Sequence, residues 1–145
     1  MNRETHRTAL QVLKTVLLGR TIAGMYFSTS VLWFDDPVKP GLGTAYLRIE
    51  NSWALIGHKL KEKEIPSSLE SDYRALASKM VKLTESKVIS VQLDNSEAAH
   101  LWINFETGET LFLNGENNRY ESWELSCKPH LVVALPGGNL AVCDN

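Results

Sequence analysis

The chain has 145 residues, 43% apolar and 22% charged, with a formal net charge of −2, which is enough for one domain, 1–145, with a real hydrophobic core and an ordinary soluble composition. No apolar run approaches the roughly 20 residues of a membrane-spanning helix. The charged opening Met1-Asn2-Arg3-Glu4-Thr5-His6-Arg7, with Lys14 beyond it, does not read as a signal peptide, so a cytoplasmic protein without membrane contact is expected.

Residues 3–18 place Leu10, Leu13 and Leu17 on one helical stripe, with Ala9, Val12 and Val16 beside it and Gly19 as a C-cap. From Thr21 the pattern turns to β. Strands are expected at 22–27 and 31–34, joined by Ser28-Thr29-Ser30. Residues 35–43 are a loop rich in turn formers. Residues 44–50 alternate, with Ala45, Leu47 and Ile49 on one side and Tyr46, Arg48 and Glu50 on the other. Residues 52–56 add a short strand, and 59–66 form a charged connector. Ser67 and Glu70 make a capping box directly after Pro66. It opens an amphipathic helix over 67–86, with Leu69, Tyr73, Leu76, Met80 and Leu83 as its stripe.

The remainder reads as β. Strands fall at 88–93 and 100–105, and Glu106-Thr107-Gly108-Glu109 makes a tight hairpin into 110–113. A polar turn at 114–118 leads to strands at 120–126 and 131–135. Gly137-Gly138, which tolerate positive φ, close a last hairpin onto 140–143. The expected fold class is α+β: a mostly antiparallel β meander, as two sheets or a half-barrel, with an N-terminal helix and one central amphipathic helix.

Reactive constellations are missing from the sequence. His6, His58, His100 and His130 show no zinc spacing with one another or with Cys127 and Cys143. Cys127-Lys128-Pro129-His130 reads as a turn, without the orienting group and oxyanion hole that a thiolate nucleophile needs. Gly41-Leu42-Gly43-Thr44 lacks the lysine and the following helix of a phosphate cradle. Asp35-Asp36 and Glu62/Glu64 are neighbouring loop acids, not carboxylates facing each other across a cleft. No catalytic, metal or cofactor-binding residue is therefore assigned, and the chain is expected not to be an enzyme. Cys127 and Cys143 are read as reduced, half-buried thiols, with a disulfide as the alternative.

Charge is unevenly spread. Residues 1–87 hold thirteen Lys/Arg against nine Asp/Glu, whereas residues 88–145 hold two against eight. An acidic half repels nucleic acid and attracts a basic partner, unless the acids are only the solvated face of a sheet. Of four tryptophans, Trp33 and Trp102 lie in strongly apolar strands and are expected in the core. Trp123 shares a strand face with Glu121. Two arrangements stay open: a partly exposed Trp123 that anchors an interface, or a buried one with Glu121 at the sheet rim.

Two segments resemble small bacterial immunity proteins of polymorphic toxin and contact-dependent growth inhibition systems. One runs from Leu18-Gly19-Arg20-Thr21-Ile22 through Leu32-Trp33-Phe34-Asp35-Asp36 to Tyr46-Leu47-Arg48-Ile49-Glu50. The other is Tyr120-Glu121-Ser122-Trp123-Glu124-Leu125 with Val133-Ala134-Leu135-Pro136-Gly137-Gly138. The resemblance implies a non-enzymatic protein that binds and blocks a cognate toxin domain. If that domain is a nuclease, its substrate site is basic and an acidic inhibitor is steered to it. The residues expected to bind the partner are Glu106, Glu109, Glu116, Glu121, Trp123 and Glu124. The competing readings are a small-molecule-binding β-rich protein or uncharacterised enzyme, and an adaptor that dimerises through a sheet edge.

Overall fold

The computed structural model describes residues 2–26, 28–35, 43–57, 64–94 and 97–144. Asp36, the loop 37–42, His58 and the connector as far as residue 63 lie outside the described residues. Among the described residues, no helix is long and apolar enough to cross a membrane.

Asn2 starts the first element. Its Oδ1 accepts the Glu4 and Thr5 N–H groups at 2.8 and 3.2 Å, capping helix α1 (Arg3–Leu17). Of the predicted stripe, Ala9, Val12, Leu13, Val16 and Leu17 are buried, and Leu10 is partly buried. Gly19, at φ 83°, turns the chain out of the helix.

Among the described residues, ten strands follow: β1 (Thr21–Tyr26), β2 (Val31–Asp35), β3 (Ala45–Ile49), β4 (Trp53–Ile56), β5 (Val88–Leu93), β6 (Leu101–Phe105), β7 (Thr110–Leu113), β8 (Trp123–Cys127), β9 (His130–Ala134) and β10 (Leu140–Asp144). They build two antiparallel sheets, ordered β1-β2-β3-β8-β9-β10 and β4-β7-β6-β5. Helix α1 packs on β5, β9 and β10 and so bridges the two sheets. The fold class is α+β, with two antiparallel sheets.

The second helix departs from the sequence expectation. Glu70 does not reach back to cap a helix. Its backbone forms a bridge with Trp53, through N–H···O=C bonds of 2.7 and 2.8 Å. Helix α2 (Tyr73–Met80) begins after Asp72, whose carboxylate caps the Arg74 N–H at 2.9 Å. A 3-10 turn, Val81–Leu83, continues it. The edge of β4 claimed the backbone that a capping box would have used. Leu76, Met80 and Leu83 of the predicted stripe are buried, but Leu69 lies outside the helix and is exposed.

Strand alternation sorts the six-stranded sheet. Leu32, Phe34, Ala45, Leu47, Leu125 and Val132 face the core. Cross-strand register places Trp33, Tyr46, Ser126 and Leu131 in one row of the opposite face, and Tyr26, Val31, Arg48, Glu124 and Val133 in the next. Trp33 is thus not a core residue. Its strand buries Leu32 and Phe34, which turns Trp33 outwards, half-buried against Tyr26 with ring centroids 4.8 Å apart. Trp102 is buried as expected.

The two sheets share one ribbon. β3 pairs with β8 in the larger sheet, and β4 pairs with β7 in the smaller. Chain 45–56 therefore runs antiparallel to chain 110–127 through both. Between the two paired stretches, residues 50–52 stand opposite the much longer 114–122, and the excess is pushed out as a loop. The bend is pinned by short bonds. Glu50 and Asn51 N–H both donate to the Ser122 carbonyl, at 2.9 and 3.1 Å, and Asn114 N–H donates to the Ser52 carbonyl at 3.0 Å. Asn51 Nδ2 donates to the Glu116 carbonyl at 2.9 Å, and Asn114 Nδ2 to Ser52 Oγ at 3.0 Å.

Segment 97–100 is wedged behind the bend. Gly115 N–H donates to His100 Nδ1 at 3.0 Å. A Cβ on Gly115 would sit 2.1 Å from the Ala99 carbonyl, and one on Gly138 would sit 2.2 Å from the Glu97 carbonyl oxygen. Gly115→Ala is therefore expected to destabilise the protein by about 3 kcal/mol or more, while Gly57→Ala, with open space around it, stays within about 0.5 kcal/mol. Urea midpoints check both.

His100 packs against Trp102 and Phe112. Burial lowers its pKa from the ordinary 6.5, with Asp94 and Glu116 pulling weakly the other way. The unfolded imidazole then takes up a proton more readily than the folded one. His100 thus contributes stability above pH 6.5 that is lost as pH falls from there towards its depressed folded value. His100→Asn, which keeps an acceptor for Gly115, should flatten the fall in urea midpoint between about pH 7 and 5.

Candidate functional site

The six residues singled out in the sequence do not form one surface. Glu106 and Glu109 belong to the β6–β7 turn, where Glu106 N–H donates to the Lys87 carbonyl at 2.9 Å and its Oε1 accepts the Lys87 N–H at 3.2 Å. That turn stands a full strand length, roughly 13 Å along β7, from the bend. Glu116 and Glu121 lie at the bend itself. Glu124 stands on the outward face of the larger sheet, 3.5 Å from Arg48.

Of the two arrangements left open for Trp123 the structure has the buried one, which removes Trp123 as a partly exposed anchor. Trp123, Leu125 and Cys127 face the core, and Glu124 and Ser126 face outwards. Trp123 is 0% exposed, and its Nε1–H donates to the Ala99 carbonyl at 2.8 Å. The argument from Glu121 failed because β8 starts at Trp123. Glu121 precedes the strand, so strand alternation does not link its exposure to that of Trp123.

Tyr120 takes the surface position instead, at 68% exposure. Asn117 Oδ1 accepts the Arg119 and Tyr120 N–H groups at 2.9 and 3.0 Å, and the Asn117 carbonyl accepts the Gly137 N–H at 2.9 Å. The side chain of Asn117 thus shapes the loop that presents Tyr120. The signal was in the sequence: Asn117-Asn118 is a strong turn former, and the residues after it belong to a loop. Tyr120, Arg119, Glu121, Glu50 and Pro136 line one shallow recess. Glu116, exposed in the same loop, is tied to this region by its backbone carbonyl, which accepts from Asn51 Nδ2. Two carboxylates and one guanidinium thus line the recess beside an exposed tyrosine.

Beside it, also against Glu50, a cleft of about 860 Å³ opens on the outward face of the larger sheet. The β1–β2 turn, β3, the bend residues 51–53 and Ser71 before α2 form its walls and floor.

The remaining chemistry-bearing groups are scattered. Cys127 is buried and Cys143 exposed; both are free thiols, and β9 lies between their strands. Among the described residues, no group of three His, Cys, Asp or Glu side chains could hold a metal ion. The sequence reading missed Arg20, a 1%-exposed cation that donates to the Phe34 carbonyl at 3.2 Å and to Cys127 Sγ at 3.7 Å. No pattern of spacing marks it, because it is a single basic residue at the start of a strand.

Burial separates the two aromatics in an experiment. Trp123→Phe leaves the Ala99 carbonyl unpaired and should cost about 1–3 kcal/mol. Tyr120→Ala should change stability by less than about 0.5 kcal/mol. Chemical denaturation measures both.

No curated protein and no solved structure matches the chain. The profile of the family of unknown function DUF6188 matches residues 13–144, from within α1 to the last residue of β10, and the chain belongs to that family.

Proposed function

We propose that the chain is an immunity-type binding protein, which neutralises a toxin domain of basic surface, a nuclease being the best fit, by covering it. The observation behind this reading is the exposed Tyr120 in a recess lined by Glu50 and Glu121, with Arg119 as the one cation lining it among the described residues and Glu116 exposed on the same loop. Tyrosine is among the side chains that anchor interfaces, giving a large rigid contact at little entropic cost. Carboxylates around it favour a basic partner, speed encounter and form charge-assisted bonds to arginine or lysine. The site replaces Trp123 by Tyr120 and keeps Glu116 and Glu121. Glu124 flanks it on the sheet face. Glu106 and Glu109 would join only a footprint that reaches along the smaller sheet. The family match carries no activity, so the reading rests on this surface and on the sequence resemblance.

The test is co-expression with the toxic C-terminal domain of a secreted protein encoded beside this gene. Wild type is expected to restore growth. The double variant Glu116→Lys/Glu121→Lys should weaken the isolated complex by at least about a hundredfold, or roughly 2.7 kcal/mol, with an unchanged thermal midpoint. Full protection by that variant would remove the site, and no protection by wild type would remove the function.

A further inference from the structure

The cleft on the outward face of the larger sheet is chemically unlike the Tyr120 recess. Its volume, about 860 Å³, lies within the roughly 300–1,000 Å³ of ligand pockets. Trp53 forms part of its lining. It is 1% exposed, so it closes the floor as a buried wall.

The walls narrow the ligand class. Tyr26 and Tyr46 offer aromatic surface, 50% and 39% exposed. Ser28, Thr29, Ser30, Ser71 and Ser126 add hydroxyls that both donate and accept. The charged lining is Arg48 and Glu50, with Nε and Oε1 3.7 Å apart. Arg48 also stands 3.5 Å from Glu124. Both separations exceed the roughly 2.7–2.9 Å of a charge-assisted hydrogen bond, so the guanidinium and the carboxylate keep bonding capacity for a ligand.

Each simple ligand class but one meets an obstacle. An anion faces Glu50 and a cation faces Arg48. An apolar molecule would strip water from the hydroxyls without replacing their bonds. A neutral molecule rich in hydroxyls meets no such penalty. We propose that this cleft binds a neutral oligosaccharide. The C–H face of a pyranose ring lies against the electron-rich face of Tyr46 or Tyr26. Arg48 donates to, and Glu50 accepts from, neighbouring sugar hydroxyls. The inference does not rest on the toxin reading: the cleft shares only Glu50 with the Tyr120 recess.

Titration of the ¹⁵N-labelled full chain with maltotriose, cellotriose, chitotriose and xylotriose tests it by NMR. At least one sugar should give saturable shifts at the Arg48 side chain and at the backbone amides of Tyr46 and Ser126. Tyr46→Ala, on the solvent side of β3, should lower that affinity at least about tenfold while leaving the thermal midpoint unchanged. Three results would overturn the proposal: no saturable shift with any of the four sugars up to their solubility limits, an affinity unchanged by Tyr46→Ala, or tighter binding of citrate or spermidine at the same residues.

Discussion

The bent ribbon of chain 45–56 against chain 110–127 is the constraint on which the rest of the molecule depends. It supplies two strands to each sheet, so neither sheet can shift without the other. A backbone that changes sheets must satisfy its N–H and C=O groups where neither ladder continues. Here the Ser122 carbonyl takes two N–H groups, and the amides of Asn51 and Asn114 close the remaining gaps. Asn and Ser recur at the bend because short polar side chains can pair with backbone where strand geometry stops.

Both candidate surfaces follow from that bend. The ribbon is unequal, with three residues at 50–52 against nine at 114–122. The surplus can only leave the sheet, and it carries Glu116, Tyr120 and Glu121 to the surface. On the other side, Asn51, Ser52 and Trp53 turn away from the larger sheet and leave the cleft between its outward face and the start of α2. Packing behind the bend is tight. Gly115 and Gly138 touch segment 97–100 where no Cβ would fit, so the two surfaces sit on a backbone with little freedom to move.

Much of the fold was legible in the sequence. The α1 stripe, the alternation of Ala45, Leu47 and Ile49 with Tyr46, Arg48 and Glu50, and the positive φ of Gly137 and Gly138 are local, and each matches the structure. The failures share one cause. Ser67–Glu70 is a sound capping pattern, but Glu70 was paired by a distant strand. Trp33 looked apolar enough for the core, but its neighbours Leu32 and Phe34 held the inward positions. Trp123 was judged from Glu121 across a strand boundary that local pattern does not fix.

The sequence by itself determined the first helix, most of the strands, the α+β class and the acidity of the C-terminal half, because hydrophobic period, turn residues and charge are properties of neighbours along the chain. Tertiary structure alone decided which acids meet. Glu50, from the basic half of the chain, joins Glu121 at one recess, while Glu106 and Glu109 are left at the far end of the smaller sheet. It also exchanged Trp123 for Tyr120 at the surface. Strand pairing brings together residues some seventy positions apart, and the register of that pairing is a sum over both sheets that no local stretch encodes.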